Sequence, residues 1–186
     1  MKIESLATSR LELRMATPEV YDFVFDDLTD ERALDFFGFE DQDKLIIEKE
    51  RHAKGLKTFN KSFLYFFLID SESNKNIGWC GYHTWYLDHH RAELGYGFTD
   101  MSYEGKGLMT EAIERVLSYG FEEMNLHRIE AFVSPENTPS LKIMEKNNFR
   151  KEGHLKEHYF KNGIAEDSLV FALLKSEQEA IDNPSK

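Results

Sequence analysis

The chain predicts a mixed α/β fold, α+β in character, with a mostly antiparallel sheet of about seven strands flanked by helices. Residues 93–99 alternate as a strand does, with Leu94, Tyr96 and Phe98 on one face and Glu93, Gly95, Gly97 and Thr99 on the other. After a glycine-containing loop, Met109, Ala112, Ile113, Val116, Leu117, Gly120, Phe121 and Met124 recur at steps of three and four, one buried stripe on a helix of about four turns. Residues 128–133 then read as a strand again, so that strand, helix and strand make a right-handed parallel crossover. The strands at 63–70, 77–87 and 93–99, and the two strands of the C-terminal hairpin, are joined by short turns, as antiparallel neighbours are.

Taken in order, Leu11, Leu13 and Met15 alternate as a first strand, and Thr17-Pro18 opens a helix with Val20, Phe23, Val24 and Leu28 on its inner face. Residues 34–39, rich in aromatic rings, read as a loop whose rings fill a satellite core. A second helix is expected over 43–56, with Leu45, Ile46, Lys49 and Ala53 at helical spacing. Residues 63–70 and 77–87 are strands around a polar turn at 71–76, and a short turn at 88–91 leads into the strand at Glu93. The last piece, 155–174, is a hairpin about Asn162-Gly163. No repeat, linker or second domain shows, so residues 1–175 are expected to form one domain and 176–186 a polar tail.

Composition narrows the function. The net charge of −11 over 186 residues argues against nucleic acid as a ligand and suits a cationic acceptor, or else marks a solvated acidic face. No apolar run could span a bilayer and residues 1–5 do not read as a signal peptide, which points to the cytoplasm and away from membranes. Cys80 is the only cysteine, sits in an apolar strand and is expected to be buried and inert; with no thiolate cage and no metal spacing among the seven histidines, no metal is expected. The lack of a G-x-S-x-G elbow argues against a serine hydrolase.

The stretch Ser102-Tyr103-Glu104-Gly105-Lys106-Gly107-Leu108-Met109-Thr110 presents the free amides of a helix start at two residues without Cβ, a place for an anion. A nucleotide P-loop would need a glycine where Asp100 stands, and a dinucleotide loop a third glycine where Thr110 stands. The stretch resembles the acyl-CoA pyrophosphate loop of the GCN5-related N-acetyltransferases, Gln or Arg, two residues, Gly, one residue, Gly or Ala, with Ser102 at the Gln/Arg place. A second segment, from Ser134-Pro135-Glu136-Asn137 through Glu145-Lys146-Asn147-Asn148-Phe149, is similar to the family's Asn-led helix that ends in Glu-Lys-x-Gly-Phe. In it Thr138 is expected to cap, Pro139 to take the first helical position and Asn148 a left-handed closing turn. With Thr8-Ser9-Arg10-Leu11-Glu12-Leu13-Arg14 and Gly-Lys-Gly-Leu-Met-Thr-Glu-Ala, the chain looks closest to the branch of ribosomal-protein N-terminal acetyltransferases.

The resemblance implies that the two parallel strands splay apart, that the pantetheine arm pairs with the exposed edges and, against the satellite-core reading, that residues 34–39 lie over the acceptor pocket as a lid. On it, Phe98, Thr99 and Asp100 offer main-chain contacts to acetyl-CoA, and Tyr103, Glu104, Gly105, Lys106, Gly107, Leu108, Met109 and Thr110 hold the pyrophosphate, with Lys106 reaching phosphate or solvent. Asn137 would bond a pantetheine amide. The family's usual acid is a Tyr where this chain has Met144, and the branch places a Ser three residues after the Asn, so Ser140 inherits the place beside the thiolate. Glu93 is the expected base, unless Arg91 or Arg128 ties it up. Trp85, Tyr96, His158 and Tyr159 are acceptor-pocket residues by analogy, or core aromatics. The expected function is direct acetyl transfer to an amine, a protein N-terminus first and a polyamine or aminoglycoside-like molecule second, in an enzyme whose branch is often a homodimer. A non-catalytic acyl-CoA sensor and an assembly protein are the rivals from other classes.

Overall fold

The computed structural model describes residues 3–53, 55 and 61–182; Leu56, at the expected end of the second helix, and residues 183–186 of the expected tail lie outside them. In chain order the elements are β1 (Ser5–Ala7), β2 (Leu11–Ala16), α1 (Pro18–Asp27), α2 (Asp30–Phe37), α3 (Gln42–Ala53), β3 (Lys61–Asp70), β4 (Asn76–Tyr86) and β5 (Arg91–Phe98). They continue with α4 (Leu108–Glu122), β6 (Arg128–Val133), α5 (Thr138–Lys146), β7 (Arg150–Lys161), β8 (Ile164–Leu174) and α6 (Lys175–Asp182). All the strands join one sheet of eight, in the order β1-β2-β3-β4-β5-β6-β8-β7. The strand beyond the expected number is β1, three residues that pair with Glu12–Arg14 of β2.

Each neighbouring pair is antiparallel except β5 and β6, which are joined through α4. Their pairing is brief: Arg91 faces Arg128, Ala92 faces Ile129, Glu93 faces Glu130, and there the ladder ends. Beyond Glu93 the two strands part, and β6 stays bonded to β8 up to Val133.

The sheet separates two cores. On one side α4 buries Leu108, Met109, Ala112, Ile113, Val116, Leu117 and Phe121 against Leu13, Phe66, Leu94 and Ile129, with Tyr82 Oη donating to the Val116 carbonyl at 2.9 Å. On the other, α1, α2 and α3 bury Val24, Phe36, Phe37 and Leu45 against Phe63, Phe67 and Ile69. The alternation read along β5 therefore has a direct consequence: Leu94, Tyr96 and Phe98 face the α4 side, and Glu93 and Gly95 the other.

The structure corrects several element readings. Residues 34–37 are the end of α2 rather than a lid: Thr29 precedes the helix, Asp30 and Glu31 occupy its first turn, and Gly38 closes it in a left-handed conformation (φ 66°). Phe37 is buried among Tyr21, Phe25, Phe39 and Phe67, and Arg14 Nη1 donates to the Asp35 and Phe36 carbonyls at 2.7 and 2.9 Å. These rings belong to the second core, which is the satellite-core alternative. In α3 the inward positions are Leu45 and Glu48, while Ile46 is exposed. Leu28 is the residue that closes α1, and it still packs against the core under the helix, as expected. Asn137, and not Thr138, caps α5: its Oδ1 accepts the Ser140 amide at 3.1 Å, which puts Pro139 at the second helical position. The start of the expected polar tail is the helix α6. The C-terminal hairpin turns at Asn162 (φ 53°) and Gly163 (φ 80°), two left-handed residues as its sequence requires, and its tip leaves Phe160 and Ile164 exposed.

Candidate active site

Two cavities meet where β5 and β6 part. The larger, about 890 Å³, is a groove bounded by Tyr96, Gly97 and Phe98 of β5, by Met101, Tyr103, Glu104, Gly105 and Gly107 of the loop, by Leu108, Met109 and Thr110 of α4, and by Asn137, Ser140 and Ile143 of the second segment. The smaller, about 210 Å³, lies between Trp79, His83, Glu93 and Gly95 on one side and Ala131, Phe132, Val133 and Tyr159 on the other. Tyr96, Asn137 and Ser140 belong to both. An acyl chain in the groove and a nucleophile in the smaller cavity would therefore meet at these side chains.

The groove's anion end is built by the loop. Gly105 (φ 70°) and Gly107 (φ 76°) are both left-handed, so the chain turns sharply into α4, and a Cβ at Gly105 would meet nothing within 4 Å. The first-turn carboxylate of α4, Glu111, would repel an anion placed there. It is instead turned to the N-terminal segment and saturated: Thr8 Oγ1, Ser9 Oγ (3.0 Å), the Arg10 amide (3.0 Å) and Arg10 Nε (2.8 Å) all donate to it. Its pKa falls to about 2; burial opposes that shift, and the Thr8 and Arg10 hydrogen bonds outweigh it. Arg10 Nη1 also donates to the Lys106 carbonyl at 3.1 Å, which ties the loop to β2. No sequence motif marks Arg10 and Glu111 as partners, because they are 101 residues apart.

Not every residue expected at the cofactor lines the groove. The Thr99 amide donates to the Ile77 carbonyl at 2.9 Å and its hydroxyl lies 3.3 Å from the Asn76 carbonyl, so Thr99 continues the β4 pairing. Asp100 Oδ1 accepts the Ser102 amide at 2.9 Å, and Lys106 Nζ lies 4.9 Å from the centre of the Tyr103 ring. Met144 is fully buried in the main core, away from both cavities.

At the junction, Tyr96 Oη is buried with no hydrogen bond. Burial raises its pKa, and the nearby Ser140 hydroxyl opposes the rise without closing a bond. Tyr96 lines both cavities, and a buried hydroxyl left without a partner there fits a group that accepts from it once the site is filled. Cys80 is fully buried and burial pushes its thiol up, so it carries no reactive thiolate.

In the smaller cavity, Glu93 is the last residue of β5 paired with β6, and its side chain is only 14% exposed. Arg91 and Arg128 do not tie it up: both are bonded to Glu130, and Arg128 also to Glu152 at 2.7 Å. The group beside Glu93 is His83, with Nε2 3.2 Å from Oε1, and this residue carries no motif that the sequence could have offered. Burial first, and Glu93 second, raise the pKa of Tyr159. Burial holds Tyr65 at about 12, Glu48 and Glu93 adding to the rise and Arg51 opposing it. The carboxylate thus sits among aromatic side chains. Of the other expected acceptor residues, Trp85 packs against the main core outside this cavity, and His158 lies against Phe132 and Tyr159 with ring centres at 4.9 and 4.4 Å.

Residues 10–150 match the family model of the acetyltransferase (GNAT) domain. Among sequence relatives, the uncharacterized N-acetyltransferase p20 of Bacillus licheniformis is 41% identical over 112 residues, 60% of this chain and 62% of that protein. The uncharacterized N-acetyltransferase YoaA of Bacillus subtilis is 29% identical over 175 residues, 91% and 96% of the two chains. The spermidine N(1)-acetyltransferase of Vibrio cholerae is 38% identical over 74 residues, 40% and 43%. The match thus spans less than two thirds of p20 and nearly all of YoaA. Among solved structures, the ribosomal-protein-S5-alanine acetyltransferase of Vibrio fischeri has a TM-score of 0.65 at 25% identity over 94% of this chain and 98% of that one. A GNAT-family acetyltransferase of Bacillus anthracis has 0.66 at 28% identity over 94% and 100%.

Proposed function

The chain belongs to the GNAT acetyltransferases, and from that premise we propose that it transfers an acetyl group from acetyl-CoA directly to a primary amine, the α-amine of a protein N-terminus such as that of a ribosomal protein. The observation that carries the reading is the meeting of two cavities at Tyr96, Asn137 and Ser140 beyond the last β5–β6 pair. The likeness to the S5-alanine enzyme supports the acceptor.

When bound, acetyl-CoA supplies the thioester carbonyl. The amides from Tyr103 to Thr110 would hold its pyrophosphate at the start of α4. The facing edges of residues 94–98 and 131–133, no longer paired with each other, leave main-chain groups for its arm. Glu93 takes a proton from the incoming ammonium, which frees the nitrogen lone pair to attack the thioester carbonyl; as the C–S bond breaks, the departing sulfur receives the Ser140 hydroxyl proton, and the second proton shed by the acylated nitrogen restores that hydroxyl. An α-amine with pKa about 8 is roughly one-tenth neutral at pH 7, so an N-terminal acceptor asks less of the base than a lysine with pKa about 10.4. Glu93→Gln is expected to lower turnover by about 10²–10⁴-fold while acetyl-CoA binding stays unchanged, as isothermal titration would show.

A second acceptor class, a small polyamine or aminoglycoside-like cation, is favoured by the carboxylate among aromatic walls and by the net charge of −11. Free-thiol release from acetyl-CoA, measured against N-terminal peptides, lysine peptides, polyamines and aminoglycosides with binding measured in parallel, separates the readings. Turnover confined to the N-terminal peptides supports the proposal; turnover confined to polyamines replaces it. Binding of acetyl-CoA without turnover on any amine favours a sensor.

A further inference from the structure

We infer that His83 is a positioning residue for Glu93, donating its Nε2–H to Glu93 Oε1 so that the second carboxylate oxygen faces the incoming amine. The inference rests on the acetyl-transfer reading and adds to it a group that neither sequence motif contains. Four features converge on it.

The ladder between β4 and β5 shifts at this point: Tyr82 faces Leu94, but Thr84 faces Glu93, so His83 is the extra residue of a bulge. A bulge re-aims the side chain it carries, here across the strand toward the carboxylate. The space the ring occupies exists because its neighbour has no side chain. A Cβ on Gly95 would lie 2.5 Å from His83 Cδ2 and 3.1 Å from Nε2, and 3.0 Å from Trp79 Cη2. Nδ1 is within hydrogen-bond distance of Thr84 Oγ1 at 3.2 Å, and Nε2, on the other side of the ring, lies 3.2 Å from Glu93 Oε1 as an ion-pair contact. A Thr84 hydroxyl donating to Nδ1 leaves the ring hydrogen on Nε2, the tautomer that can donate to a carboxylate. Lastly, the nearest cationic side chains along the ladder, Arg91 and Arg128, are committed to Glu130.

A carboxylate with no partner on either oxygen turns freely about its terminal torsion, and a displacement of about 1 Å at a reacting group can cost about 100-fold in rate. His83 removes that freedom. No proton passes to the imidazole in this scheme; it moves from the amine nitrogen to Glu93.

The test uses the full chain with acetyl-CoA and the amine that turns over fastest. His83→Phe keeps the bulk and removes the donor, and His83→Gln keeps an N–H at similar reach. His83→Phe is expected to lower kcat by about tenfold or more with acetyl-CoA affinity unchanged, and His83→Gln to retain a third or more of the wild-type kcat. Wild-type kcat in His83→Phe, or equal losses in the two variants, overturns the inference while leaving the transferase reading in place; no turnover by the wild type on any amine overturns both. Nitrogen-15 NMR of the labelled imidazoles, with the His83 signals identified by their loss in His83→Gln, reads the tautomer without any activity. Hydrogen on Nε2 supports the inference, and hydrogen on Nδ1 alone refutes it.

Discussion

Replacing Glu111 by Gln tests how the cofactor loop is held. The carboxylate accepts from Thr8, Ser9 and both the amide and guanidinium of Arg10, and these bonds hold its pKa at about 2 against an ordinary 4.5. At about 1.4 kcal/mol per pH unit, that depression corresponds to roughly 3 kcal/mol. Arg10's side chain is 49% exposed, so solvent screening trims the expected value to roughly 1–2 kcal/mol. Because the folded pKa is depressed, this stability is fully present above pH 4.5 and is lost as pH falls toward 2. Urea denaturation of the wild type and Glu111→Gln at pH 7, 5 and 3.5 should give a midpoint difference that is the same at pH 7 and 5 and clearly smaller at 3.5. A difference independent of pH would refute the reasoning, since it would mean that the ionised form is not what the cluster stabilises. The same variant should bind acetyl-CoA more weakly, because Arg10 no longer has the partner that steers it to the Lys106 carbonyl.

Three further substitutions separate binding from chemistry. Gly105→Ala meets no atom within 4 Å, so its folding cost is the left-handed strain alone, about 1–2 kcal/mol; acetyl-CoA affinity should fall well beyond that because the added methyl occupies the groove, and an unchanged dissociation constant would remove the pyrophosphate from this loop. Ser140→Ala should lower kcat by about 10–100-fold with acetyl-CoA binding nearly unchanged; full turnover would assign the proton to another donor. Tyr96→Phe deletes a buried hydroxyl that has no partner, so thermal stability should hold or rise by up to about 1 kcal/mol while turnover falls. Equal turnover in Tyr96→Phe would show that the hydroxyl only fills space.

Much of the frame was legible because it depends on local periodicity. The alternation through Glu93–Thr99 and the stripe from Met109 to Phe121 each carry their own period, and the crossover hand follows from them. The signals of α2 lie at its ends, Thr29, Asp30 and Glu31 at one and Gly38 at the other. The run of rings between them has no clear helical period, and rings alone do not distinguish a lid from a core. Thr138 and Asn137 both carry cap chemistry for α5, and only the backbone, with Asn137 outside the helix and its Oδ1 on the Ser140 amide, decides between neighbours.

The sequence by itself determined the sheet-and-crossover architecture, the glycine loop at the start of α4 and the Asn-led second segment, since these are short stretches whose own residues dictate their geometry. Tertiary structure decided the rest of the site. That the β5–β6 ladder stops at Glu93, that Tyr96 and Ser140 face one junction, that Arg10 clamps Glu111 and that a bulge turns His83 onto Glu93 are relations between segments up to 101 residues apart. Side-chain chemistry is written residue by residue, but the distance between two side chains is set by register and packing, which no local pattern encodes.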